Sequence, residues 1–156
     1  MRSISLFAMD VDGVLTDGTL EYGPGGACQR FDAHDGAGLV ALQKTGMPLA
    51  LISFRDLDST RRRARDLGIR YLLLGCPDKR KALGDLCTHL GIEPASALYM
   101  GDDEMDIPAL EAAGVSACPS NAHPRVKSVC QVVTARAGGS GAVREVVDMI
   151  LDGRLQ

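Results

Sequence analysis

The chain has 156 residues, 46% of them hydrophobic, and a formal net charge of −3. This length suits one globular domain with a substantial core, and the composition excludes an intrinsically disordered chain. The slightly acidic balance argues against a nucleic-acid-binding protein, because that function usually needs a basic face.

Short apolar segments alternate with helical segments along the chain, the pattern of a parallel sheet covered by helices on both faces. The predicted strands are Ser5–Met9, Pro48–Ser53, Tyr71–Leu74, Ala97–Met100, Val115–Ala117 and Gln131–Val133. The predicted helices are Ala37–Thr45, Leu57–Leu67, Lys79–Leu90, Asp106–Ala113, His123–Ser128 and Ala142–Leu151. The sequence therefore predicts a doubly wound α/β fold, with residues 1–156 forming a single domain.

One interruption follows the first strand. Thr19–Tyr22 and Ala27–Phe31 flank a Gly-Pro-Gly-Gly segment, which predicts a β-hairpin within residues 19–31. Nothing else in the chain indicates an inserted domain, so we expect no cap domain. Ligands of such sheets bind at the carboxyl ends of the strands. Since the hairpin leaves from that end, it must lie beside the site or reach a neighbouring subunit.

Five dispersed cysteines form no Cys-x-x-Cys pair, and three separated histidines form no zinc pattern. Reduced thiols of this kind are typical of a cytoplasmic protein. The N-terminus has no signal-peptide arrangement, and no apolar run approaches membrane-spanning length. We therefore expect a cytoplasmic protein without a membrane segment.

The first strand runs into Asp10, Val11, Asp12 and Gly13. Side chains alternate along an extended strand, so Asp10 and Asp12 project to the same side. Two carboxylates about 4 Å apart repel by about 4 kcal/mol at an effective dielectric constant near 20. A bound cation or a shared proton would relieve that repulsion. The alternative is an ordinary strand end with solvated acids.

Other strand ends carry polar residues as well. Ser53, Phe54 and Arg55 follow the second strand, and Lys79 lies in the loop after the third. The fourth strand is followed by Gly-Asp-Asp-Glu-Met-Asp, which contains Asp102, Asp103 and Asp106. Acids from two strands suit Mg²⁺, whereas Ser53, Lys79 and the amides of the Asp12–Gly13 turn suit phosphate oxygens. With a carboxylate nucleophile, this set predicts a phosphoryl-transfer site.

Each of these residues also has a structural interpretation. Ser53 could be an ordinary strand-end hydroxyl, and Lys79 opens a basic run that could be a solvated helix face. Asp102 and Asp103 could cap the following helix. Because four such coincidences would be needed together, catalysis is the preferred interpretation.

On these motifs the chain resembles the haloacid dehalogenase superfamily of phosphatases over nearly its whole length. It is most similar to the capless subgroup that contains 3-deoxy-D-manno-octulosonate 8-phosphate phosphatase. The supporting segments are Asp-Val-Asp-Gly-Val-Leu-Thr-Asp-Gly, Phe31–Gly36, Gly75–Lys79, Gly-Asp-Asp-x-x-Asp and Gly138–Glu145. The resemblance implies a phosphatase of lipopolysaccharide biosynthesis that acts on a small-molecule sugar-acid phosphate.

The resemblance also implies a role for each site residue. Asp10 would be the nucleophile and a Mg²⁺ ligand. Asp12 would protonate the leaving alcohol, then activate water, and bind the metal through its backbone carbonyl. Ser53 and Lys79 would hold the phosphoryl group, with Lys79 also pairing with Asp10, and Asp102 would complete the metal site.

The remaining implied roles are outside the chemical step. Asp103 and Asp106 would orient the metal site. The residues expected to contact substrate are Gly13, Asp35, Gly36, Phe54 and Arg55. The hairpin would pack within a homotetramer in which one subunit roofs the active site of its neighbour.

Two departures from the family pattern leave the sugar open. Phe54 stands where the family usually has glycine, and His34 stands where the octulosonate enzymes commonly have arginine. Arg55 matches the octulosonate enzymes, whereas nonulosonate 9-phosphate phosphatases tend to carry an acid there. A nonulosonate 9-phosphate is thus an alternative substrate. A phospho-receiver domain or a non-catalytic regulatory domain is a more distant alternative.

Overall fold

The computed structural model describes residues 3–155, which form an α/β fold. The strands are β1 (Leu6–Met9), β2 (Glu21–Gly23), β3 (Gly26–Cys28), β4 (Leu49–Ile52), β5 (Tyr71–Leu73), β6 (Ala97–Met100), β7 (Val115–Cys118) and β8 (Val132–Val133). The helices are α1 (Ala33–Gln43), α2 (Asp58–Leu67), α3 (Lys79–Leu90), α4 (Ile107–Ala112), α5 (Pro124–Val129) and α6 (Ala142–Leu151). Short 3₁₀ turns at Pro94–Ser96 and Glu104–Asp106 were not predicted.

Six strands form one parallel sheet in the order β5-β4-β1-β6-β7-β8. Strand β1 is fully buried, and its side chains alternate between the two faces. Phe7 and Met9 pack in a core with residues of α1, α2 and α6, whereas Leu6 and Ala8 pack in a second core with residues of α3, α4 and α5. These two cores on opposite faces confirm the doubly wound fold.

The register of the central strands brings their carboxyl ends together. Met9 of β1 is paired with Leu51 of β4 on one side and with Met100 of β6 on the other. The residues that follow these three strands therefore emerge at one edge of the sheet. Ligand sites of doubly wound sheets lie at this edge.

The hairpin is shorter than predicted. Strands β2 and β3 form a separate antiparallel sheet in which Gly23 pairs with Gly26, so only Pro24 and Gly25 form the turn. No cap domain is present within residues 3–155. None of the helices described there is long and apolar enough to cross a membrane.

Helix α1 begins four residues earlier than the sequence pattern indicated. Asp32 caps it by accepting hydrogen bonds from the amides of His34 and Asp35. Gly36 and Gly38 lower helix propensity, which is why the pattern placed the start after Gly36. In the fold these glycines allow close packing, because a Cβ atom at Gly36 would collide with the Arg63 guanidinium.

Asp35 joins α1 to the beginning of α6. Its Oδ1 accepts a hydrogen bond of 2.8 Å from the amide of Arg144, in the first turn of α6. The side chain is almost completely buried, and burial raises the pKa of Asp35 while the Arg144 amide opposes that rise. A carboxylate at this position satisfies a free helix amide and interacts favourably with the helix dipole.

We expect Asp35→Ala to lower the free energy of unfolding by about 1–2 kcal/mol, because it removes this cap from a buried helix end. Asp35→Asn keeps an acceptor and should cost less. Denaturant unfolding measures both. The exposed Asp66 in α2 provides the control, since Asp66→Ala should change stability by no more than about 0.5 kcal/mol. Equal effects of Asp35→Ala and Asp66→Ala would contradict the role of Asp35.

Candidate active site

The carboxyl ends of β1, β4 and β6 and the beginning of α3 enclose an open pocket of about 270 Å³. All candidate site residues except Asp35 and Gly36 line it. The full lining is Asp10, Asp12, Gly13, Gly18, Leu20, Ser53, Phe54, Arg55, Lys79, Asp102, Asp103, Met105 and Asp106. Gly18, Leu20 and Met105 were not predicted as site residues: Gly18 ends the motif of residues 10–18 without a functional group of its own, and no chemical pattern marks Leu20 or Met105.

A tight turn after β1 presents Asp10 and Asp12 to the pocket. The amides of Val14, Leu15 and Thr16 all donate to the carbonyl of Val11. Gly13 has φ +81°, and a Cβ atom there would collide with the carboxylate of Asp102. Only glycine therefore suits this position, both for its backbone conformation and for the close approach of β1 and β6 loops.

Lys79 lies between two buried carboxylates. Its Nζ is 2.7 Å from Asp10 Oδ2 and 2.8 Å from Asp106 Oδ1, and all three residues are almost completely buried. Burial opposes the charge of Lys79, but the carboxylates of Asp10 and Asp106 outweigh it and raise the pKa of Lys79. Lys79 is therefore an ammonium ion that holds two strand ends together, and not part of a solvated basic face.

The Asp10 carboxylate is held at both oxygens. Oδ2 pairs with Lys79, and Oδ1 accepts a 2.7 Å hydrogen bond from the amide of Val11. Burial raises the pKa of Asp10 well above its ordinary value, and the charge of Asp106 adds to this, whereas Lys79 opposes it. A second cation beside Asp10 would favour the ionised carboxylate.

Asp106 anchors the loop after β6. Its Oδ1 accepts hydrogen bonds from Lys79 and from the buried hydroxyl of Tyr99, while its Oδ2 accepts from the amides of Asp102 and Asp103. Both oxygens are thus fully used within the protein. Asp103 caps the 3₁₀ turn by accepting from the amide of Glu104. Tyr99 supports Asp106 through this hydrogen bond. Sequence analysis did not identify Tyr99, because it lies in the apolar strand β6.

Asp102 is the acid of this cluster with an unused oxygen. Its Oδ1 is buried and has no hydrogen-bond partner among residues 3–155. Burial raises the pKa of Asp102 to about 7, and the charges of Asp106 and Asp103 add to the shift. Oxygens of Asp10, Asp102 and Asp106 lie within 4.8 Å of one another. This surplus of buried negative charge fits a divalent cation with oxygen ligands.

Asp12 makes a different set of contacts. Its Oδ1 accepts a 2.7 Å hydrogen bond from Nε2 of Gln29, and its Oδ2 lies 3.6 Å from Nε of Arg55. Gln29 in turn accepts from the hydroxyls of Ser59 and Thr60. Sequence analysis missed Gln29, because a single glutamine at the end of a hairpin strand carries no recognisable pattern.

The segment after β4 supplies one hydroxyl and the rim of the pocket. Ser53 is buried, and its Oγ accepts a 3.3 Å hydrogen bond from the amide of Arg55. Phe54 is 55% exposed, and Met105 across the pocket is 48% exposed. Two exposed apolar side chains and the charged Arg55 thus line the outer part of a pocket whose floor is charged.

The structure does not bring Asp35 and Gly36 to this pocket. Asp35 is engaged at the beginning of α6, and Gly36 packs against Arg63. Within one chain, Asp35 and Gly36 therefore contribute to the packing of α1 against α6 and α2. The neighbouring His34 is exposed and lines a separate surface cavity with Arg136 and Arg144.

Comparisons with known proteins agree with this geometry. The haloacid dehalogenase-like hydrolase family matches residues 75–146. The 3-deoxy-D-manno-octulosonate 8-phosphate phosphatase of Haemophilus influenzae is 40% identical over 97% of this chain and 84% of its own length. The enzyme of the same name from Escherichia coli is 38% identical over 96% of this chain and 80% of its own length.

This chain belongs to the haloacid dehalogenase-like hydrolases. The hydrolase has the same fold as the 3-deoxy-D-manno-octulosonate 8-phosphate phosphatase of Moraxella catarrhalis, whose crystal structure contains magnesium ion, phosphate ion and KDO. The TM-score is 0.93, and the two sequences are 42% identical over 96% of this chain and 86% of the other. The cobalt-bound form of the Haemophilus influenzae phosphatase gives a TM-score of 0.94 and is 40% identical over 97% of this chain and 90% of the other. These relatives confirm the predicted resemblance to the capless subgroup. The chain is therefore a phosphomonoester hydrolase.

We expect Asp102→Asn to stabilise the metal-free hydrolase and to do so more as the pH rises. The pKa of Asp102 is raised on folding to about 7, so its destabilising contribution is absent below the pKa of the unfolded chain, which is about 4, grows as the pH rises from about 4 to about 7, and levels off above that. Between about pH 4 and pH 8 the variant should gain about 1–3 kcal/mol relative to the wild type.

Denaturant unfolding in a chelator at several pH values measures this gain. Saturating Mg²⁺ provides the control, because it should stabilise the wild type and have little effect on Asp102→Asn. A gain that is the same at pH 4 and pH 8 would contradict the proposed charge surplus.

Proposed function

We propose that the hydrolase removes phosphate from a sugar-acid phosphate, with 3-deoxy-D-manno-octulosonate 8-phosphate as the first candidate, in a Mg²⁺-dependent reaction through an aspartyl-phosphate. The observation that carries this proposal is the buried Lys79 that pairs with Asp10 beside Asp102, whose Oδ1 lacks a partner. The two octulosonate 8-phosphate phosphatases similar to this chain support the choice of substrate.

The residues present fit a magnesium ion. Asp10 and Asp102 would provide carboxylate oxygens, and Asp12 would provide its backbone carbonyl. Asp106 supports these ligands, because its oxygens are already used by Lys79, Tyr99 and backbone amides. Mg²⁺ bound here would neutralise the carboxylates and the incoming phosphate charge.

Asp10 is the proposed nucleophile. In the first step an oxygen of Asp10 forms a bond to phosphorus while the bond from phosphorus to the sugar oxygen breaks. The contacts from Lys79 and the Val11 amide hold the carboxylate in place and reduce the loss of freedom in the transition state. In the second step the oxygen of an attacking water forms a bond to phosphorus while the bond from phosphorus to the Asp10 oxygen breaks, which releases inorganic phosphate and restores the Asp10 carboxylate.

Asp12 is the proposed acid and base. It gives a proton to the departing sugar oxygen in the first step and takes one from the attacking water in the second. Its carboxylate belongs to a separate group of contacts, with Gln29 and Arg55. Asp10 and Asp12 can therefore perform different tasks although they are two residues apart.

The phosphoryl oxygens would be bound by Ser53, by Lys79 and by the amides of the Asp12–Gly13 turn. Ser53 and Lys79 are buried and line the same pocket. Donors fixed in advance stabilise the charge that develops in the transition state without reorganising. Phe54 and Arg55 at the rim would contact the sugar part of the substrate.

A panel of sugar-acid phosphates tests the substrate. We expect Mg²⁺-dependent phosphate release from the octulosonate 8-phosphate with a kcat/KM at least about tenfold above that for a nonulosonate 9-phosphate, a difference of about 1.4 kcal/mol. Asp10→Asn should release no phosphate, and this variant controls for contaminating phosphatases. Its circular dichroism spectrum should match that of the wild type, which shows that the variant is folded. A reversed preference would favour the nonulosonate alternative, and an active Asp10→Asn would overturn the nucleophile assignment.

We further propose a cytoplasmic homotetramer in which one subunit roofs the active site of another. The open pocket, the lack of a cap domain within residues 3–155 and the exposed hairpin support this arrangement. Tyr22 near the tip of the hairpin is 77% exposed, which suits an interface. The exposed free thiol of Cys28 suits a reducing compartment.

Light scattering should give four times the chain mass of 16.5 kDa. Tyr22→Asp should lower the measured mass by placing a charge in the proposed interface. A wild-type protein that scatters as a monomer at micromolar concentration would contradict the tetramer.

A further inference from the structure

The amide of Gln29 connects three separate segments beside the proposed acid and base. It follows β3 of the hairpin, donates to Asp12 Oδ1 and accepts from two hydroxyls in the first turn of α2, those of Ser59 and Thr60. We propose that Gln29 is a positioning residue that fixes the Asp12 carboxylate for proton transfer. This inference rests on the function proposed above.

The Asp12 carboxylate determines which way the amide of Gln29 faces, because an ionised carboxylate can only accept a hydrogen bond. Oε1 of Gln29 accepts hydrogen bonds of 2.8 Å from Ser59 and 2.7 Å from Thr60. The opposite end of the amide, which can only donate, faces Asp12, and the two hydroxyls, which can donate or accept, serve as donors to Oε1. Glutamine combines an acceptor for two hydroxyls with a donor for a carboxylate, a combination that lysine or glutamate cannot provide.

The contact with Gln29 also gives the two carboxylate oxygens of Asp12 different environments. Oδ1 is held by Gln29 at 2.7 Å, whereas Oδ2 has no hydrogen bond from the residues described and has Arg55 Nε at 3.6 Å. Oδ2 is therefore the oxygen left to exchange a proton with the leaving sugar oxygen and with water. Rotating the carboxylate would break the bond to Gln29, so the geometry for proton transfer is prepared before substrate arrives.

A comparison of leaving groups tests this role. Gln29→Leu should lower kcat/KM for the sugar-acid phosphate about tenfold to a hundredfold, because an alkoxide leaves poorly without a proton. For p-nitrophenyl phosphate the loss should be no more than about threefold, because nitrophenolate leaves without protonation. The measured quantity is the ratio of the two losses, since general damage to the fold would lower both equally.

Gln43 offers a matched control in the same chain. It is also half-buried, and its Nε2 donates a 2.8 Å hydrogen bond to the carbonyl of Leu67, away from the pocket. Gln43→Leu should leave the ratio of the two kcat/KM values unchanged. The double variant Ser59→Ala with Thr60→Val keeps the donor of Gln29 but removes its anchors, and it should shift the ratio in the same direction by a smaller factor. This variant maintains the test if Gln29→Leu fails to fold.

The outcomes separate the two proposals. Equal losses on both substrates in Gln29→Leu, or no loss on either, would overturn the positioning role while the phosphatase function stands. A wild-type protein inactive on both substrates with Mg²⁺ would overturn the proposed function, and with it the role of Gln29.

Discussion

The bridge from Lys79 to Asp10 and Asp106 is the interaction on which the site depends. It joins the ends of β1 and β6 to the first residue of α3, in a region nearly closed to water. A buried charge without a partner is costly, so each member of the bridge requires the others. The bridge is nevertheless unbalanced, because Asp102 adds a third carboxylate against one ammonium group. Burial raises the pKa values of Asp10 and Asp102, the charges of neighbouring carboxylates add to both shifts, and a bound cation would oppose them.

The strand-end residues could be predicted from the sequence because the fold makes their meeting nearly inevitable. Parallel strands in a doubly wound sheet place their carboxyl ends at one edge, so Asp10, Ser53 and Asp102 converge once the strands are recognised. Lys79 was more ambiguous, since it begins the basic run Lys79–Lys81. Lys79 is the first residue of α3 and contacts the buried carboxylates of Asp10 and Asp106, whereas Lys81 lies two residues later and forms an exposed pair with Asp85.

The contacts that sequence analysis missed depend on side chains meeting across long separations in the chain. Gln29 reaches back 17 residues to Asp12 and forward 30 and 31 residues to Ser59 and Thr60. Tyr99 lies in an apolar strand, and only its hydroxyl reveals its support of Asp106. Asp35 lies beside motif residues, yet its partner is the amide of Arg144, 109 residues later. Local periodicity contains no information about such pairs, because tertiary packing alone brings them together.

These contacts divide the hairpin into two parts with different tasks. At its base, Gln29 links the hairpin to α2 and to Asp12, and the nearby Arg30 pairs with Asp17 at the surface. At its tip, Pro24 and Gly25 form a two-residue turn, and Tyr22 extends into solvent. The base of the hairpin is thus held by hydrogen bonds beside the pocket, whereas its tip is exposed. A short insertion can in this way fix the carboxylate of Asp12, the proposed proton-transfer group, and still expose Tyr22, without a separate cap domain within residues 3–155.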